Sequence, residues 1–115
     1  MDIAKIIRKK IDEINYNKEL WSPGYLSEVC IELSSLHSSL TAEISQLENA
    51  YYRLEAAILL KGESAATAKI LSRATPEYQA YHDVVMIERV LLEEIRSIKK
   101  YVSLRQNEYE TSVNN

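Results

Sequence analysis

Leucines at positions 26, 33, 40, 47 and 54 recur every seven residues. Between Ser22 and Lys61, Pro and Gly occur only in the first turn, at Pro23 and Gly24. A sustained seven-residue apolar repeat keeps one edge of a helix turned to a neighbouring helix. The spacing therefore predicts a helix of about 40 residues, roughly 60 Å long at 1.5 Å per residue, lying against another helix.

Val29 and Leu36 complete the alternating three- and four-residue spacing, and Glu43, Ala50 and Ala57 hold a weaker line beside it. Ile44, Tyr51 and Ile58 add a second apolar line that widens the stripe in its second half. A two-stranded seam is narrower, so two neighbouring helices are expected there. The opposite face carries Ser27, Ser34, Ser38 and Ser45. Serine is a modest helix former, so packing has to hold this helix together.

The remaining elements have local signals. Ile3, Ile6, Ile7, Ile11 and Ile14 make one apolar stripe, which predicts a first helix over residues 2–17. Ser22-Pro23 combines an N-cap oxygen with proline at the first helical position. Gly62 suits a left-handed cap, and Ser64 can cap a short helix reaching Leu71. Thr75-Pro76-Glu77 repeats the cap-and-proline pattern for a last helix that runs to about Tyr109, ahead of a frayed tail, TSVNN. Its stripe is Tyr81, Val84, Leu91, Ile95, Ile98 and Val102. Together these define an all-α protein, a single domain over residues 1–115. The architecture is a long antiparallel helical hairpin, coiled-coil-like, with a short connector helix and an N-terminal helix.

The chain has 115 residues, with no Phe, one Trp, eight Tyr, and only two Gly and two Pro. Long helices in a short chain make a thin core, and an exposed leucine ridge exceeds the apolar patch a monomer usually tolerates. A homo-oligomer closed through Leu26, Leu33, Leu36, Leu40, Leu47 and Leu54 is the expectation. The single cysteine, Cys30, has no internal disulfide partner, which fits a reducing cytoplasmic setting. No stretch approaches 18 apolar residues, so no membrane span or membrane partner is expected. His37 and His82 lack the i, i+4 partner of a helical metal site, and Lys61-Gly62-Glu63-Ser64 fails the phosphate-loop pattern. Carboxylate neighbours such as Glu93 and Glu94 lie on different helix faces. Catalytic, metal and cofactor sites are therefore not expected, and the chain reads as a non-enzyme.

Net charge is −3 but uneven. Residues 21–60 carry one basic group and five acidic ones, whereas residues 86–105 carry five basic and three acidic. Arg89, Arg96, Lys99, Lys100 and Arg105 lie along the last helix, with Arg89 and Arg96 on one face. Arg53, Lys61, Lys69 and Arg73 gather near the connector. Tyr51, Tyr52, Tyr78, Tyr81 and Tyr101 stand among them. Cations for a phosphate backbone and rings for bases are what single-strand binding uses. The plainer reading makes the same residues salt-bridge partners and core tyrosines.

From Glu43 onward the order of segments resembles a known group. It runs Tyr51-Tyr52-Arg53-Leu54, Lys61-Gly62-Glu63-Ser64, Ala68-Lys69-Ile70-Leu71, Thr75-Pro76-Glu77-Tyr78, and Glu94-Ile95-Arg96-Ser97-Ile98-Lys99-Lys100-Tyr101. In organisation it is similar to the UvsY-type recombination mediators, small helical proteins of bacteriophages. The resemblance covers about the last seventy residues. It implies an oligomer that holds single-stranded DNA and contacts a recombinase or single-strand-binding protein, in the host cytoplasm. An interaction module without a nucleic-acid role, such as an inhibitor of a host defence system or an adaptor, shares this size and composition.

Overall fold

The computed structural model describes the backbone of residues 2–114 and the side chains of residues 2–105. It is all-α, and no strand occurs among the described residues. Helix α1 spans Ile3–Tyr16, α2 Pro23–Leu60, α3 Ala65–Arg73 and α4 Pro76–Asn114. A 3-10 turn, Lys18–Leu20, links α1 to α2.

The helices begin where side chains can satisfy backbone N–H groups that have no partner in the first turn. The Asp2 carboxylate accepts from the N–H groups of Ala4 and Lys5. Ser22 accepts from Tyr25, Ser64 from Thr67, and Thr75 from Tyr78. Gly62 adopts φ 96°, the left-handed conformation that lets the chain leave α2. Helix α4 continues to Asn114, past the expected end near Tyr109 and through the segment read as frayed. Adding residues to an existing helix is far easier than starting one, so weak formers can extend it.

Helices α2 and α4 form the antiparallel hairpin. Helix α1 folds back across it, antiparallel to α2. The Lys10 ammonium pairs with Glu32 of α2, and Asn15 reaches Glu94 of α4 at 3.5 Å. The Trp21 indole N–H donates to the Ile14 carbonyl at 2.9 Å, which fixes the turn between α1 and α2. Its ring packs edge-on against Tyr101 at 5.0 Å. Ile7, Ile11 and Ile14 of α1 meet Leu26, Val29, Leu33 and Leu40 of α2 and Ile87, Leu91, Ile95 and Ile98 of α4 in one buried cluster.

This placement corrects the expectation that another chain must cover the seam. Leu26, Leu33 and Leu40 are 0% exposed within a single chain, because α1 and α4 already enclose them. Leu36 and Leu47 are half-buried against the same cluster. Leu54 is half-buried beyond the reach of α1. The side-by-side pair of neighbours falls on the first half of α2, not the second. Along the second half, α2 meets α4 and then α3 in succession.

The molecule is thus a three-helix bundle at one end and a two-helix hairpin at the other. Its extents are 73 × 28 × 19 Å. Its radius of gyration is 20.1 Å, against about 13 Å for a compact domain of this length. Tyr52, Leu59, Leu60, Ile70 and Leu71 are exposed at the thin end, Leu60 at 89% and Ile70 at 70%.

Candidate nucleic-acid interface

The charges of α4 are sorted by side. Val84, Ile87, Leu91, Ile95 and Ile98 turn inward. At 100° per residue, Arg89, Arg96 and Lys100 then project from the opposite side, with Lys99 on the edge toward α2. All four are exposed. Arg89 to Lys100 covers roughly 16 Å of helix at 1.5 Å per residue.

The neighbouring carboxylates mostly point elsewhere. Glu88 lies 3.2 Å from the His37 ring across the α2–α4 contact. Glu94 accepts from Asn15 of α1. Glu93 alone joins the outer row, 2.6 Å from the Arg96 guanidinium. Among the described residues no salt bridge holds Arg89, Lys99 or Lys100. An acidic chain therefore presents an outer row of three cations and one carboxylate, with a fourth cation, Lys99, on the edge toward α2.

The other predicted cations are not part of this row. Arg53, Lys61 and Lys69 are exposed at the two-helix end. Arg73 sits between the two sets, 5.9 Å over the Tyr78 ring. Arg105, at the other end of the molecule, donates to the Tyr101 hydroxyl at 3.0 Å and lies over that ring. The continuous strip expected from the sequence is divided into a row and two ends.

The tyrosines are mostly structural. Tyr51 is 5% exposed and stacks on Tyr81 with ring planes 6° apart. Tyr78 packs against Tyr51 at 5.0 Å and against His82. The Tyr81 hydroxyl donates to Glu48 at 2.9 Å, and that bond, with burial, raises its pKa above the ordinary tyrosine value. Tyr101 is taken up by Trp21 and Arg105. Of the five rings proposed as base platforms, only Tyr52 is exposed, and it lies away from the α4 row at the two-helix end.

Cys30 is half-buried on α2 in a shallow apolar pocket with Leu26, Val102 and Lys99. Burial pushes its thiol pKa up, and Lys99 opposes the shift. Among the described residues no cluster of His, Cys, Asp and Glu is arranged to hold a metal ion. Likewise, no described helix is long and apolar enough to cross a membrane.

Sequence reasoning found the α4 cations but not their isolation from carboxylates. That depends on α1, whose Asn15 draws Glu94 aside, and on His37, which faces Glu88. Comparison with protein families, curated proteins and solved structures finds no match to this chain.

Proposed function

We propose that the protein is a non-enzymatic DNA-recombination accessory factor of the phage type, which holds single-stranded DNA along α4. The observation that carries this reading is the sorting of charge on that helix. Arg89, Arg96, Lys99 and Lys100 face solvent, while Glu88 and Glu94 turn into contacts with α2 and α1. Phosphate affinity comes largely from Lys and Arg, and an isolated row gives a polyanion a track. With Tyr51, Tyr78 and Tyr81 committed to packing, the contact is to the backbone and carries little base preference. A recombinase or single-strand-binding protein would be its working partner.

The test is a salt titration of binding to a fluorescent single-stranded oligonucleotide. Four phosphate contacts give a log–log slope near −3, at about −0.7 per contact for single strands. Arg89→Ala with Lys100→Ala should bring it to roughly −1.4 by the same rule. No binding at low salt removes the reading.

A second reading rests on a different observation, the exposed apolar end formed by Leu59, Leu60, Ile70 and Leu71. Patches of this kind mark protein contacts. They fit an adaptor or an inhibitor of a host defence system that acts without nucleic acid. Partners recovered from host lysate that survive nuclease treatment, and are lost in Leu60→Glu, favour it.

A further inference from the structure

Helix α1 covers the groove between α2 and α4 only along the first half of α2. Where α1 begins, the groove opens into a space of about 470 Å³ lined by Lys5, Arg8, Glu43, Leu47, Asp83 and other residues. Past that point one edge of α2 is only partly covered, with Leu47 still packed against the core on its inner side. It carries Glu43, Leu47, Ala50, Leu54, Ala57 and Lys61, spaced alternately four and three residues apart. Glu43, Leu47 and Leu54 are half-exposed, and Ala50, Ala57 and Lys61 are exposed.

This edge is complementary to its own reverse. Take a two-fold axis passing beside residue 52. Glu43 then meets Lys61 of a second copy, Leu47 meets Ala57, and Leu54 meets Ala50. Acid faces base at both ends, and large faces small at every apolar step. Contacts of this kind are what a self-paired interface requires, because residue i touches j while j touches i. Alanine opposite leucine lets two helices approach closely, as ridges fit into grooves.

We propose that a second copy of this chain docks along this edge, antiparallel, so that each α2 continues the track that α1 leaves unfilled in the other. The two Arg53 side chains fall on the same flank of the axis, a like-charge meeting that weakens the pairing. The interface is independent of the DNA reading, since none of the α4 row takes part.

Sedimentation velocity over a concentration series tests it, with three variants. The wild-type chain should pass from monomer to dimer as concentration rises. Ala57→Glu, at an exposed position that needs no repacking within the monomer, should leave a folded monomer. Lys61→Glu should weaken the dimer about tenfold, and adding Glu43→Lys to it should restore the wild-type constant. A chain that stays monomeric throughout the series overturns the proposal. So does a dimer indifferent to Ala57→Glu, or a charge-reversed pair weaker than Lys61→Glu alone.

Discussion

Leu33 and Leu54 occupy equivalent places in the seven-residue repeat and differ only in what surrounds them. Leu33 is 0% exposed between α1, α2 and α4. Leu54 is half-exposed, with no α1 above it. Truncation to alanine removes three carbons' worth of burial at Leu33, about 2.4 kcal/mol at ~0.8 kcal/mol per methylene. The cavity left in a three-helix core adds to that, for a total near 3–4 kcal/mol. At Leu54 about half the transfer is lost and the open edge leaves no closed cavity, so about 1 kcal/mol is expected. Urea unfolding at a concentration too low for self-association reads both. With a slope of about 1.5 kcal/mol per molar, Leu33→Ala moves the midpoint by roughly 2–2.7 M and Leu54→Ala by less than about 1 M. Equal shifts would refute the two-ended account, because the repeat alone treats the two leucines alike.

Three further outcomes follow from individual contacts. Tyr81→Phe removes the donor to Glu48 and should destabilise the hairpin by about 1 kcal/mol at neutral pH. Because the pKa of Tyr81 is raised in the folded chain, this contribution is full below the unfolded tyrosine value near 10. It is lost as pH climbs through the folded value, so wild type and Tyr81→Phe should converge in alkaline melts. Trp21→Phe keeps the edge contact with Tyr101 but loses the bond to the Ile14 carbonyl. A loss of about 1 kcal/mol should appear in thermal melts, with α1 amides exchanging faster. Gly62→Ala meets open space around the added methyl, so its cost of roughly 1 kcal/mol comes from the left-handed φ alone. Gly62→Asn, in the same melt, should cost less.

What could be read in advance follows from the range of each interaction. The starts of α2, α3 and α4 were legible at Ser22-Pro23, Ser64 and Thr75-Pro76, because a cap is made within three residues of the helix it serves. The stripe of α1 was legible because Ile7, Ile11 and Ile14 repeat with the helix period. The heptad of α2 declared that Leu26, Leu33 and Leu40 are buried, but periodicity carries no address for the covering element. A chain's own α1 and a second chain leave the same pattern. The tyrosines posed the same difficulty. Tyr51 and Tyr52 are adjacent in sequence; the helical period places Tyr51 on the apolar line with Ile44 and Ile58, but only α4, through Tyr78 and Tyr81, makes that ring a packing residue and not a base platform. The charge sorting on α4 was hidden for the same reason: Glu88 and Glu94 are neutral as a pattern and acquire meaning from His37 and Asn15, over fifty residues away.

One chain closes the first half of its own leucine seam and leaves the second half open. Hydrogen exchange along α2, at dilution below any self-association, tests this most directly. Amides from Leu26 to Leu40 should exchange only through global unfolding, and those from Leu54 to Leu60 should exchange much faster through local opening. Rapid exchange across Leu26 to Leu40, or uniform protection along the whole helix, would contradict it.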